Sequence, residues 1–132
     1  MGLVYKLWEL DSIGFTNGCS KYQVMATETL LDMKLPDEFI EYAETFGRVE
    51  FANRKWAGIG VGEAYNVASI TLDEKKINPD FPEKHFILES LSDVHKIIVD
   101  ELGMVYDYKN KEKTLLSFNL SAYIDRILGE TA

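Results

Sequence analysis

Apolar positions recur at helical spacing over two adjacent segments in the first half of the chain. Between Ser20 and Leu35, the side chains Val24, Ala26, Thr27, Leu30, Leu31 and Met33 form one such face. Ser20 with Gln23 three residues on has the form of a capping box, in which each side chain bonds the other's backbone amide. This helix must end before Pro36, because a residue that precedes proline disfavours the α region. Pro36 suits the first position of a second helix. Asp37 and Glu38 favour the positive end of that helix's dipole. Phe39, Ile40, Ala43 and Phe46 form its inward face, and Gly47 supplies a left-handed stop.

The pattern then changes. Arg48 to Ala52 and Lys55 to Val61 read as two strands joined at Asn53, with Gly58, Gly60 and Gly62 thinning the second. A third helix spans about Tyr65 to Lys76, with Val67, Ala68, Ile70 and Leu72 apolar. Ile77 to Glu83 holds two prolines and is loop. Phe86 to Leu91, Val94 to Val99 and Met104 to Tyr108 are separated by Ser92-Asp93 and Glu101-Leu102-Gly103, which predicts an antiparallel meander. A last helix covers about Leu120 to Leu128, capped by Asn119 and stopped at Gly129, with Tyr123, Ile124, Ile127 and Leu128 inward. Val4 to Leu10 reads as a short strand, and Asn17-Gly18 as a turn. Strands cluster rather than alternate with helices. The expectation is an α+β fold over residues 1–132, a single domain in which helices pack against an antiparallel β-sheet.

Composition narrows the classes. The chain has 132 residues, 46% of them apolar and 27% charged, as ordinary globular domains do. Aromatic residues are spread along its length, which argues against disorder. No apolar run approaches a membrane span. Lys6 and Glu9 interrupt the N-terminal stretch, so no secretory signal is read, and the expected location is the cytoplasm. The net charge of −8 disfavours direct binding to nucleic acid or to anionic membranes, and it favours a cationic partner. Cys19 is the single cysteine, so neither an internal disulfide nor a cysteine zinc site can form.

Chemical motifs are few. His85 and His95 lie outside any metal-ligand spacing, and no nucleophile elbow occurs, so no metal, cofactor or enzyme activity is expected. The run Gly58-Ile59-Gly60-Val61-Gly62 follows a strand and precedes a helix, as a phosphate loop would. Its spacing is wrong for one, and Glu63 brings negative charge, so close backbone packing is the better reading. The charge itself is uneven. Glu28, Asp32, Asp37, Glu38, Glu41, Glu44 and Glu50 face only Lys34 and Arg48, a net −5 within 28–50. Glu38, Glu41 and Glu44 share the second helix with no lysine or arginine, although like charges at such spacing repel. Solvation alone accounts for such a face, and so does a docking surface built from Asp37, Glu38, Glu41, Glu44 and Glu50. Trp8, Trp56 and Tyr65 are candidate apolar anchors for it, with core placement the alternative for Trp56.

The ordered set Glu28-x-x-Leu31-x-x-x-Leu35-Pro36-Asp37-Glu38-Phe39 followed by Phe46-Gly47 resembles the signature of the SUKH superfamily. That group includes fungal cell-wall-synthesis regulators of the Smi/Knr type and many bacterial immunity proteins. Trp56-Ala57-Gly58, Tyr65-Asn66-Val67 to Thr71, Val99-Asp100, Gly103-x-Val105-Tyr106-Asp107-Tyr108 and Phe118 to Leu128 follow in the family's order. The resemblance spans about 13–128. Two places depart from it: Arg48 follows Gly47 where a second glycine is common, and Lys75 and Lys76 follow Thr71 where arginine is usual. The resemblance implies a binding module rather than an enzyme. It implies an immunity protein that neutralises a cognate toxin, often a nuclease, by covering a basic active site with acidic surface. A regulatory protein-binding scaffold of the Smi/Knr type is the alternative, and a small-molecule or nucleotide sensor a further one. Family partner surfaces vary, so no site residue transfers from it.

Overall fold

Ser20 starts its helix as the capping box requires: its Oγ accepts from Gln23 N at 3.2 Å, and its own amide donates to Gln23 Oε1 at 2.9 Å. In the computed structural model, which describes residues 2–131, the elements run α1 (Leu3–Trp8), β1 (Gly14–Phe15), α2 (Lys21–Leu31), α3 (Asp37–Phe46), β2 (Val49–Phe51) and β3 (Arg54–Lys55). There follow α4 (Val67–Ile77), β4 (His85–Ser92), β5 (His95–Asp100), β6 (Val105–Lys109), β7 (Glu112–Ser117) and α5 (Leu120–Thr131). The result is a mixed α+β domain with antiparallel sheets and helices packed against them. One sheet has the order β1-β2-β3, and the other is the meander β4-β5-β6-β7. Among the described residues no helix is long and apolar enough to cross a membrane.

Local signals and long-range packing part company in several places. Val4 to Leu10 was expected extended, but Leu3–Trp8 is helical. Leu3 and Leu7, one turn apart, are both buried, and α1 lies on α3 and α5. In α2 the inward positions are Val24, Thr27 and Leu31, while Ala26 and Leu30 face solvent. Pro36 is the N-cap of α3 rather than its first turn, and Tyr42 joins the buried face while Ile40 is half-buried. Of the second predicted strand, Lys55 to Val61, only Lys55 is extended in a sheet, paired within the two-residue β3 of Arg54–Lys55. Glu63–Tyr65 is a 3-10 turn, and α4 begins at Val67 with Asn66 as its cap. The meander has a further strand, β7, after the left-handed pair Asn110 and Lys111. Its first four residues are exposed, so it lacks the apolar alternation that marks a buried strand. Gly129 does not end α5, which continues to Thr131.

Two glycines interlock at the corner after α3. Gly47 adopts φ 73° and ψ −69°, a classic γ-turn closed by Arg48 N donating to Phe46 O at 2.8 Å. Gly58 passes so close that a Cβ there would sit 1.7 Å from Gly47 O. The glycine run therefore serves backbone packing. The amides that a phosphate loop would offer are also taken, since Asn66 Oδ1 accepts from Ala68 N and Ser69 N.

The meander is buried on both faces. Phe86, Leu88, Ile97, Val99 and Val105 join α3 and α5 in the main core. Ile87, Ile98 and Tyr108 point the other way and are closed by Phe81. The free edge of β4 is covered: Thr71 Oγ1 accepts from Ile87 N at 3.0 Å, and Ala57 N donates to Leu88 O at 2.7 Å.

A bulge in β4 decides the most unusual feature of that core. The register moves from Ile87↔Ile98 to Glu89↔Ile97, so Leu88 and Glu89 together oppose Ile97. Simple alternation would send Glu89 to the face of Ile87. The extra residue sends it inward, where it is 2% exposed. There it accepts from Trp56 Nε1 at 2.5 Å, Arg54 Nη1 at 3.0 Å and Tyr123 OH at 3.1 Å. Burial raises its pKa above the ordinary glutamate range, against the lowering effect of Arg54 and the other donors.

Replacing Glu89 with alanine buries the Trp56 indole N–H without this acceptor and breaks the pair with Arg54. Urea unfolding should show a loss of about 3–5 kcal/mol, and Glu89→Gln, which keeps an acceptor for Trp56, should lose less. Between the ordinary glutamate range and the raised value, the native state holds a proton that the unfolded chain has released. Stability should therefore fall as pH rises through that window, and Glu89→Gln should flatten the slope.

Candidate partner-binding face

The second predicted helix is α3, and its two sides do different work. Phe39, Tyr42, Ala43 and Phe46 are fully buried. On the opposite side Asp37, Glu41 and Glu44 stand at i, i+4 and i+7 and form one outward stripe. Asp37 and Glu41 are exposed and meet no cation among the described residues. Glu44 lies 3.7 Å from Lys21 Nζ, a solvent-exposed contact of little energetic weight.

Glu38 is not part of that stripe. It is half-buried and turned toward α5, where its carboxylate accepts from Leu120 N at 2.7 Å, Ser121 N at 3.1 Å and Ser121 Oγ at 2.5 Å. It thus caps α5 from 82 residues away, beside the local cap in which Asn119 Oδ1 accepts from Ala122 N. Its negative charge also suits the positive end of the α5 dipole. Glu50 is likewise apart from the stripe, exposed on β2 and paired with Arg48 Nη1 at 3.2 Å.

Of the aromatic candidates, Trp56 belongs to the core. It is 0% exposed, stacked on Tyr123 with ring centroids 6.1 Å apart, and tied to Glu89. It cannot anchor a partner on the surface. Tyr65 is half-buried with one ring face occupied, because the Arg48 guanidinium lies 3.8 Å from its centroid. That contact accounts for Arg48, whose Nε donates to Trp56 O while the buried Nη2 makes no hydrogen bond; the ring face offers the guanidinium electrostatic compensation.

Trp8 is placed differently. It is 52% exposed, and Phe15 is 50% exposed. The two rings meet edge to face at 5.3 Å and close over Phe46, at 4.9 Å and 5.6 Å. Phe46 is the last residue of α3, so the aromatic pair rests on the C-terminal end of the helix that carries the acidic stripe. The chain just after Phe15 is fixed to α3, with Thr16 Oγ1 donating to Phe46 O at 2.9 Å and Cys19 N to Ala43 O at 3.0 Å. Phe15 carries no sequence signal of its own, since its exposure depends on β1 lying at the edge of the small sheet.

The remaining reactive side chains are engaged locally. Cys19 is half-buried, and burial followed by the Glu44 charge pushes its thiol pKa up. Nδ1 of His85 bonds Glu83 O at 2.7 Å, and its Nε2 lies 3.0 Å from Lys113 Nζ. Burial lowers the pKa of His85. Nε2 of His95 meets Asp107 Oδ1 at 2.5 Å. Among the described residues no three His, Cys, Asp or Glu side chains are grouped to hold a metal ion.

No family model matches the chain, and no curated protein matches its sequence.

Glu38→Ala removes three bonds from the start of α5. Chemical denaturation should register a loss of about 1–3 kcal/mol. Hydrogen exchange should quicken at the amides of Leu120 and Ser121 before it does so in β4–β7.

Proposed function

We propose that the protein is a SUKH-type immunity protein that binds a cognate cationic toxin, a nuclease fitting best, through the face formed by α3, α1 and β1. The observation that carries this reading is the outward stripe of Asp37, Glu41 and Glu44 on α3, the helix on whose terminal Phe46 the exposed Trp8–Phe15 pair rests. Acids along one helix face, of which only Glu44 meets a lysine among the described residues, offer the charge that a nuclease groove is built to receive from phosphates. They raise the rate of encounter with a basic surface and fix its orientation. Affinity comes from elsewhere, and half-exposed aromatic side chains resting on a buried base are suited to it. The net charge of −8 and the order of the SUKH-like motifs support the same reading. Of the residues first assigned to the docking surface, this site keeps Asp37, Glu41 and Glu44 with the candidate anchor Trp8, and it adds Phe15.

The experiment is co-expression with the product of a neighbouring toxin-like reading frame, rescue of cells that make it, and calorimetry on the purified pair. The double variant Glu41→Lys, Glu44→Lys should bind about tenfold more weakly or worse at low salt, with a smaller difference at high salt. Unchanged affinity would remove α3 as the site. Failure of the protein to rescue the cells would remove the immunity function.

A further inference from the structure

A second surface lies away from α3. Between α4 and the outer face of β4–β5 runs a cleft of about 510 Å³. The helix contributes Ile70, Asp73, Glu74 and Ile77, which stand at i, i+3, i+4 and i+7 and so line one wall. Buried Ala57, Ile87 and Leu88 lie at its base, and Ser90, Lys96 and Lys55 line the remainder. A second lobe of about 430 Å³ shares Glu74, Ile77 and Lys96 with the first. Volumes of this size with an apolar base are those of small-molecule sites, and here charged groups line the walls.

The charges in the cleft are separated. Lys96 Nζ donates to Ser90 Oγ at 2.7 Å and to Ser92 O at 2.8 Å. An ammonium has three donors, so one remains. Neither Lys96 nor Lys55 has a carboxylate within ion-pair distance among the described residues, although the chain holds 22 acids against 14 bases. Asp73 and Glu74 stand on the helix wall and do not close on them.

We propose that this cleft binds a small amphipathic monoanion. Its single anionic head pairs with Lys96, whose position the two serines fix in advance, and Lys55 adds to the attraction. Its apolar body lies over Ile87 and Ile70. Asp73 and Glu74 repel a second negative charge, so the site selects monoanions over dianions. This site is independent of the toxin-binding face and of the glycine run.

Fluorescence titration of the full chain with 8-anilinonaphthalene-1-sulfonate tests it, beside N-phenyl-1-naphthylamine, which has the same rings without the sulfonate. The sulfonate should bind saturably and at least about tenfold more tightly than the neutral dye. Lys96→Ala, checked for native circular dichroism, should abolish that difference. Decanoate should displace the dye, and decanedioate should not. Methyl NMR shifts should centre on Ile70 and Ile87. Equal binding of the two dyes, an unaltered Lys96→Ala variant, equal displacement by the dianion, or shifts centred near Trp8 and Phe15 would each overturn the proposal.

Discussion

A single buried carboxylate holds together three parts of the chain that are far apart in sequence. Glu89 on β4 accepts from Arg54 on β3, from Trp56 just after it, and from Tyr123 on α5. The small sheet, the meander and the last helix therefore meet at one side chain. A buried charge is tolerated only where donors surround it, and here the donors come from separate elements. The β4 bulge is the geometric condition for this meeting, because without it Glu89 would lie on the outer face with Ile87. Trp56 then packs against Tyr42, Phe51 and Tyr123 and extends the joint into the aromatic core.

A second constraint sets the direction of α3. The γ-turn at Gly47 ends the helix, and the close pass of Gly58 fixes the following chain against it. With Phe39, Tyr42, Ala43 and Phe46 held inward, Asp37, Glu41 and Glu44 can only face out. Glu38 lies between the two sides and is drawn to the α5 amides. Four neighbouring acids on one helix thus divide into one with a structural task and three available to a partner. The cleft with Lys96 lies elsewhere, between α4 and the outer face of β4–β5.

What the sequence revealed was what nearby residues decide. The Ser20–Gln23 box, Asn119 as a cap and the turns of the meander act over a few positions, and each stands where its chemistry places it. The α+β class followed from the clustering of strands. What stayed hidden depends on contacts across the chain. Glu38 looked like one more surface acid because the amides it caps lie 82 residues away. The inward turn of Glu89 carried no sequence signal, because a bulge is invisible to alternation. Val4 to Leu10 read as extended, whereas α3 and α5 give Leu3 and Leu7 of helix α1 a surface to bury against. Trp56 was ambiguous for the same reason, since its partners Tyr123 and Glu89 lie in other elements.

The role of Glu89 as the internal joint is most directly tested by carboxyl-detected NMR titration of that one side chain, read together with the indole N–H of Trp56. The expected result is a midpoint above the ordinary glutamate range, with the indole resonance moving in the same titration. A midpoint within the ordinary range, with an indole resonance that does not respond, would contradict the account.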